Sequence, residues 1–231
     1  MRLARISRNE PLAASHHTPL AIPKETLAMT SRKQLVRQAI RFESPSRVPI
    51  WFVNADQAEG DCIVYHLSLS REGDPARPVN EWGYRLESLD DGTMGHPTEP
   101  HLVDLDAAES FAAPPFNEQK RMAGAAAFFD ECGDRYRLAS LDLSGFTVYT
   151  LLRGFANSME DFVLDTDRFG KLMDLIIDWE CEVMTIAARH GFHGIHFADD
   201  WGTQSGLMIA PELWRKLFKP RYRRQFAHAH D

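Results

Sequence analysis

The sequence is poor in cysteine and lacks the spacings in which cysteines usually form cross-links or bind metals. Its 231 residues include three cysteines, Cys62, Cys132 and Cys181, and no C-x-x-C pair. An odd, widely spaced set argues against a disulfide framework and gives no metal-ligand pattern. Sparse cysteines are typical of proteins in a reducing compartment, so we predict a cytoplasmic protein.

Long apolar runs are also missing. No stretch of the chain reaches the roughly 18 apolar residues that a membrane-spanning helix requires. The segment 1–28 contains Arg2, Arg5 and Arg8 but no apolar core of a signal peptide, which argues against secretion. The sequence therefore predicts no membrane partner.

The chain has no excess of positive charge. It contains 26 Lys and Arg against 33 Asp and Glu, a net charge of −7. This balance disfavours nucleic acid or an anionic membrane as the main partner. The acidic residues concentrate in the segment 48–210, between two basic ends. We interpret that acidic stretch as solvated surface rather than as a binding patch.

Hydrophobic periodicity is weak in the first part of the chain. Residues 1–29 include three prolines and no clear helix or strand pattern, which is typical of disorder. A helix signal begins at Ser31. We therefore predict a disordered N-terminal extension over residues 1–29 and a barrel-type domain over residues 30–231, with Met29 as a candidate natural start.

Strand and helix patterns alternate in the rest of the sequence. Residues 48–53, 135–145 and 194–198 have the composition of buried strands. A long helix precedes the last of these, and Gly191 is placed to end it. Its apolar stripe consists of Phe169, Leu172, Leu175, Ile176, Trp179, Val183 and Ile186. Strands and helices in alternation, with short connections, indicate βα units on a parallel sheet.

Acidic residues end two of these strands. Asp142 lies at the end of one strand, and Asp199 and Asp200 directly follow another, before a turn that contains Gln204. The carboxyl ends of parallel strands form the edge where such folds bind ligands. Asp199 and Asp200 are therefore candidate catalytic residues, and Asp142 and Gln204 are candidate substrate-binding residues. Alternatively, the carboxylates cap helices or turns, and Gln204 bonds only its own loop.

His193 and His196 form an H-x-x-H pattern at the start of the last strand. Residues three apart on a strand point to opposite faces, which disfavours joint metal binding. We interpret both as core or surface histidines.

Four segments, in this order, carry a resemblance to a known family. They are TSRKQLVRQAIRFESPSRVPIWF, NEWGYRLES, LLRGFANSMEDFVLDTDRFGKLMD and GFHGIHFADDWGTQSGLMIAPELWRKLFKPRYRR. With them the chain resembles the uroporphyrinogen decarboxylase-like superfamily from about residue 30 to its end. The resemblance implies an α/β fold of the (β/α)8 barrel (TIM barrel) family. It also implies one of two activities, tetrapyrrole decarboxylation or methyl transfer between corrinoid proteins and thiols.

The residues at the expected barrel mouth favour the methyltransferase branch. The decarboxylases resembled here carry paired arginines after the first strand, where this chain has NADQAEGD at residues 54–61. Their later Ser-His is replaced by Asp199 and Asp200. An acidic mouth would repel a polycarboxylate that arginines would otherwise clamp. The alternative is uroporphyrinogen decarboxylation in porphyrin biosynthesis, with Asp199 or Asp200 as the proton donor.

The methyltransferase branch implies a corrinoid and a zinc ion. Its zinc ligands are a His-x-Cys motif and a later cysteine, and this sequence contains no His-x-Cys. The chain also ends before the last third of a typical family member. We therefore expect about four to five of the eight strands, an incomplete barrel, and zinc ligands that are absent from this chain. The expected partners are a small-molecule or corrinoid-protein substrate, and a complementary C-terminal half or a homodimer. A non-catalytic half-barrel is the third alternative.

The resemblance also implies binding roles for residues other than the acidic pair. Arg153, in the L-L-R-G turn, would bind a carboxylate or a corrinoid side group, or else form a structural ion pair. Tyr149 lies one residue from the position of a substrate-contacting tyrosine in the decarboxylases. Trp51, Asn54 and Trp201 would line the pocket of a flat macrocycle, or else pack in the core.

Overall fold

The computed structural model describes most of the predicted domain. The described residues are 30–52, 59–69, 79–87, 96–98 and 100–231. The chain divides into two units between Thr30 and Ser31, and every element given below belongs to the second unit. The predicted disordered extension and the candidate residue Asn54 lie outside the described residues. The domain boundaries stay a prediction.

Helices dominate the described residues. The helices are α1 (Arg32–Ile40), α2 (Leu105–Glu109), α3 (Glu118–Arg121), α4 (Ala125–Cys132), α5 (Gly145–Arg153), α6 (Phe155–Leu164), α7 (Thr166–Arg189), α8 (Pro211–Leu217) and α9 (Lys219–His230). The strands are β1 (Cys62–His66), β2 (Leu86–Glu87), β3 (His96–Pro97), β4 (Tyr136–Leu143) and β5 (Gly194–Ala198). Within these ranges, no helix combines the length and the apolar character needed to cross a bilayer.

Three parallel strands form the main sheet, in the order β1-β4-β5. Their register places His66, Ser140 and His196 opposite one another across the sheet. A short antiparallel pair, β2 and β3, stands apart from it. The prediction of a mixed α/β fold with parallel strands is confirmed. The described ranges contain three strands of the main sheet rather than four to five, and three strands do not close a barrel.

The first predicted strand is wrong over its described part, residues 48–52. Val48 is 80% exposed and Ile50 is 49% exposed. The N–H of Ile50 donates to Asp61 Oδ2 at 2.7 Å, and the N–H of Asp61 donates back to the carbonyl of Ile50 at 2.7 Å. Arg47 fixes the same carboxylate, with Nη1 2.6 Å from Oδ2. These backbone groups bond to a loop residue, so residues 48–52 do not form a strand of the main sheet.

The long helix α7 forms where the apolar stripe predicts it. The side chain of Asp165 caps its start by accepting from the N–H of Arg168 at 3.2 Å. Gly191 follows its end with a φ of +85°, a conformation that favours glycine. The stripe is largely buried, and Phe169, Ile176 and the other core members pack against α5 and α9. Burial of each such side chain contributes about 1.5–3 kcal/mol.

The sheet buries one face under the helices. Ala139 and Leu141 of β4 and Ile195 and Phe197 of β5 belong to, or pack against, the core cluster that contains α5 and α7 residues. Side chains alternate along a strand, so their neighbours in sequence point to the other face.

The opposite face of the sheet is apolar at one end and polar at the other. Val36 of α1 packs against Cys62 and Tyr136 near the amino ends of β1 and β4. Further along the same face lie His66 and Ser140 at the carboxyl ends. The fold therefore brings polar side chains from three strands to the edge where a parallel sheet binds ligands.

Candidate functional site

A hydrogen-bonded row of four side chains, His66, Asp142, Ser140 and His196, lies at the carboxyl ends of β1, β4 and β5; we call it the strand-end network. His66 Nδ1 is 2.6 Å from Asp142 Oδ1, and the Ser140 hydroxyl donates to the same oxygen at 3.1 Å. His196 Nδ1 is 3.0 Å from Ser140 Oγ. Because the single hydroxyl hydrogen of Ser140 is directed to Asp142, its oxygen accepts from His196 Nδ1–H.

Asp142 has an unusual backbone conformation. Its φ is +63°, and the pairing of β4 with β5 shifts register between Ser140 and Leu143. Aspartate is one of the few residues that adopt the left-handed region as single residues, and bulges of this kind redirect side chains near functional sites. The bulge directs the carboxylate to His66. Asp142 lies near the end of β4, as predicted. It does not cap the following helix, because Asp199 and Glu180 accept from the first N–H groups of that helix.

The network is half open to solvent. The side chain of His66 is 64% exposed and that of Asp142 is 44% exposed, whereas Ser140 is buried. Burial lowers the pKa of His196, although the charge of Asp142 opposes this shift. The ring of Trp51 meets His196 edge-on, with centroids 4.8 Å apart. His196 is thus held as a neutral donor to Ser140, which leaves the charge of Asp142 to act on His66.

Asp199 is an anchor for three elements. Its Oδ1 accepts from the N–H and the hydroxyl of Thr147, both at 2.8 Å. Its Oδ2 accepts from the N–H of Phe146 at 3.3 Å, from Trp201 Nε1 at 3.1 Å, and from the Tyr222 hydroxyl. Burial raises the pKa of Asp199, and the donors from Tyr222 and Thr147 oppose the rise. This geometry is that of a cap on α5, the alternative that the sequence left open.

A second carboxyl group, Glu180 of α7, bonds to the same helix N-terminus. Its Oε1 accepts from the N–H of Gly145 at 3.0 Å, and its Oε2 accepts from Gln225 Nε2. Burial raises the pKa of Glu180 to about 8, against the effect of these donors. Gly145 has a φ of +46°, and a Cβ there would lie 2.9 Å from Asp199 Oδ2 and closer still to the Tyr222 hydroxyl. Only glycine fits this position without displacing the cap.

Asp199 and Trp201 also line a groove of about 640 Å³ beside α8 and α9. Trp201 stacks on Phe146 with ring centroids 4.2 Å apart. The lining residues are Phe197, Asp199, Trp201, Trp214, Lys219, Tyr222, Arg223 and Phe226. Because Phe197 packs against the helix-side core, this groove lies on the face of β5 opposite to the strand-end network.

Arg153 and Tyr149 meet at one buried carboxylate. Arg153 is 4% exposed, and its Nε and Nη2 donate to the two oxygens of Asp161 at 2.8 and 3.0 Å. Its Nη1 donates to the carbonyls of Val103, at 2.7 Å, and Leu102. The hydroxyl of Tyr149 donates to Asp161 Oδ2 at 2.9 Å, and burial raises its pKa. The structure therefore favours the ion-pair alternative for Arg153 and a core position for Tyr149.

Asp200 and Gln204 lie in the exposed turn after β5. Asp200 Oδ1 accepts from the N–H of Gly202 at 3.4 Å, and its own N–H donates to Thr147 Oγ1 at 2.8 Å. The hydroxyl of Thr203 accepts from backbone groups across the turn. Gln204 is exposed, and its amide has no hydrogen-bond partner among the described residues. Both side chains are accessible to a ligand.

His193 and His196 face different partners. His193 Nδ1 accepts from the N–H of Arg137 at 3.1 Å, and its Nε2 lies 2.8 Å from Arg137 Nη2. Burial, reinforced by the charge of Arg137, lowers the pKa of His193 to about 4. His193 is therefore neutral and takes no part in the strand-end network.

The described residues do not fit a zinc site. No group of three or more His, Cys, Asp or Glu in the described ranges is placed to hold a metal ion. Cys62 and Cys132 are buried, and burial raises the pKa of all three cysteine thiols, that of Cys62 to about 11. Zinc binds the thiolate, which these surroundings disfavour.

Comparisons with protein-family models and with curated proteins find no match to the sequence. Among solved structures, the chain is similar to a methyltransferase from Methanosarcina mazei, with a TM-score of 0.60 and 15% sequence identity. The similarity covers 87% of this chain and 67% of that chain. It shows the fold alone. That fold is compatible with the TIM-barrel type that the sequence predicts, although the described sheet is not a closed barrel.

Proposed function

We propose that this chain, through its domain at residues 30–231, forms part of a methyltransferase whose substrate binds over the carboxyl ends of β1, β4 and β5. The observation that carries the proposal is the match of 87% of the chain to the fold of a methyltransferase. The strand-end network supports it, because the network lies at the edge where such folds bind their ligands. Methyl transfer is also one of the two activities that the sequence resemblance to the uroporphyrinogen decarboxylase-like superfamily implies.

The candidate residues take different roles in this proposal. Asp142 faces the substrate, and Asp200 and Gln204 contact it from the exposed turn. Asp199 holds that turn against α5 through its bond to Trp201 and the adjoining bond from Asp200 N–H to Thr147. The methyl donor in the proposal is a corrinoid carried by a partner protein, and the acceptor is a small thiol. No step is assigned to zinc, since the described residues do not fit it.

The proposal also includes a partner that completes the barrel. The chain spans about two thirds of the length of the methyltransferase that it resembles in fold. The polar face of the sheet is half exposed, whereas parallel sheets are normally covered on both faces. A complementary C-terminal half or a second copy of this chain would supply the cover.

Methyl transfer by the full chain tests the proposal. The purified protein is mixed with methylcobalamin and a panel of small thiols, at low and high protein concentration so that a self-completing dimer is detected. Mass spectrometry should show a methylated thiol, and the corrinoid absorbance should change in step. Absence of product at both concentrations, and also after a complementary C-terminal half is added, would count against methyl transfer and favour a non-catalytic half-barrel.

Uroporphyrinogen is the second compound to test with the same protein. We expect no coproporphyrinogen, since both oxygens of Asp199 are occupied by donors and residues 54–61 contain no arginine pair to bind the substrate carboxylates. Appearance of coproporphyrinogen would replace the methyltransferase proposal with the decarboxylase alternative.

A further inference from the structure

We propose that His66 is the general base that removes the proton of the methyl acceptor, and that Asp142 is the residue that positions it. This inference rests on the proposed function and names the group that generates the reactive nucleophile. Nothing in the sequence singled out His66, which ends β1 without a motif. Its assignment comes from its place in the strand-end network.

The hydrogen-bond pattern fixes which nitrogen of His66 is reactive. Asp142 Oδ1 lies 2.6 Å from Nδ1, and a carboxylate only accepts, so Nδ1 carries the hydrogen. In the neutral ring, Nε2 then holds a lone pair. Among the described residues Nε2 has no hydrogen-bond partner, and the side chain is 64% exposed. A ligand over this edge meets an oriented, unprotonated nitrogen.

The backbone of Asp142 supports a functional role for the pair. A φ of +63° in a register-shifted strand is a strained conformation for a residue with a side chain. Such strain persists where the surroundings hold it, and it is concentrated at functional sites. Here it aims the carboxylate at His66, while Ser140 holds the same oxygen from the other side.

A protic acceptor needs such a base. The thiolate rather than the thiol is the nucleophile, so the proton of the thiol must be removed for the sulfur to attack. In the proposed step the S–H bond breaks and its proton bonds to His66 Nε2. The sulfur keeps the electron pair and forms the S–CH3 bond with the methyl carbon. The bond between the methyl carbon and its donor breaks, and the electron pair of that bond stays on the donor.

Asp142 is the carboxylate in direct contact with His66. His196 on β5 is the other titratable group of the strand-end network, and the Glu81–Arg121 ion pair bonds to the backbone of Leu69 and Leu67, just after His66. Tyr84 also feels the charge of Asp142, and burial raises the pKa of its phenol, so it stays neutral. The negative charge of Asp142 is therefore available to stabilise the imidazolium that forms when His66 takes the proton.

His190 provides a matched control. Its Nε2 lies 2.8 Å from Glu118 Oε1, an imidazole–carboxylate pair like that of His66 but next to the C-terminus of α7. His190→Gln should leave both thiol ionisation and methyl transfer unchanged. His66→Gly should lower methyl transfer by about 10²-fold or more, and added imidazole should restore part of the rate. His66→Gln serves as a second variant in case the glycine disturbs β1.

Asp142 has its own pair of variants. Asp142→Asn should lower the rate and displace the acid limb of the rate–pH profile, since the ring loses its charged partner. Asp142→Gly relieves the strained φ, so its Tm should stay equal or rise while the rate falls. A purely structural Asp142 would show the reverse, a lower Tm with an unchanged pH profile, and that result would overturn its positioning role.

Ionisation of the thiol without any methyl donor separates this inference from the proposed function. The ultraviolet absorbance of the thiolate is followed as a small thiol is titrated into the full chain. Ionisation by the wild-type protein and its loss in His66→Gly support the base, even if no methyl group moves, in which case only the methyltransferase proposal fails. Equal ionisation in both proteins, no ionisation in the wild type, or a lost rate that imidazole does not restore would overturn the assignment of His66.

Discussion

Replacing Asp199 with alanine removes the acceptor of five donors that join three elements. They come from Phe146 and Thr147 of α5, Trp201 after β5, and Tyr222 of α9. Loss of a capping carboxylate lowers stability by about 1 kcal/mol. A buried donor left without an acceptor lowers it by about 1–3 kcal/mol more, and the Tyr222 hydroxyl belongs to a residue that is 7% exposed. We expect the free energy of unfolding to fall by about 3 kcal/mol.

Asp200→Ala is the matched control for this change. Asp200 is the same residue type, next in sequence, but exposed, and its carboxylate accepts one long bond of 3.4 Å. We expect its replacement to change the free energy of unfolding by less than about 0.5 kcal/mol. Urea unfolding followed by circular dichroism measures both variants against the wild type. In a chain of this size about 3 kcal/mol corresponds to a Tm lower by about 6–12 °C.

The two variants also separate anchoring from catalysis. With both proteins assayed below their Tm, Asp200→Ala should lower methyl transfer at near-normal stability. Equal and small losses of stability in the two variants would refute the anchoring role of Asp199. That result would return Asp199 to the candidate catalytic residues.

Three further predictions test the buried polar groups. Since burial raises the pKa of Glu180 to about 8, the folded chain keeps a proton that the unfolded chain releases above about pH 4.5. The stability that this group contributes is therefore lost as the pH rises from about 4.5 to 8. In Glu180→Gln that loss should be absent. If the urea midpoints of the variant and the wild type changed in parallel across this pH range, the prediction would be wrong. Gly145→Ala should lower stability by about 2 kcal/mol or more, whereas Gly202→Ala, with no atom within 4 Å of the added Cβ, should be neutral in thermal unfolding. Asp161→Asn leaves the charge of Arg153 buried and should cost about 3–5 kcal/mol; a normal Tm with weakened ligand binding would instead assign Arg153 to the substrate.

Local signals made the second half of the fold predictable. A capping residue at Asp165, a stripe of buried apolar positions and Gly191 together define α7, and β5 follows within a few residues. The segment 48–52 has equally good composition for a strand. Composition does not specify the backbone partner, however, and Asp61 takes the bonds that a neighbouring strand would have made.

The candidate site was only partly predictable for a similar reason. Asp142 could be placed at the ligand-binding edge because strand ends are readable from sequence. Its partner His66 could not, because the two lie 76 residues apart and meet through strand register and a bulge. Glu180 did leave a signal, a charged residue between Ile176 and Val183 on the buried side of α7. Charged residues on helices usually face water, so its charge conflicts with its helical spacing, and neither of them identifies Gly145 as its partner.

The half-open position of the strand-end network has a consequence for when it can work. Water around His66 and Asp142 screens their attraction, because the interaction of charges weakens in proportion to the local dielectric constant. A molecule that covers this face, whether a substrate or a protein partner, displaces that water and strengthens the hydrogen bond between them. Asp142 would then hold the ring of His66 most firmly in its orientation at the moment when the site is filled.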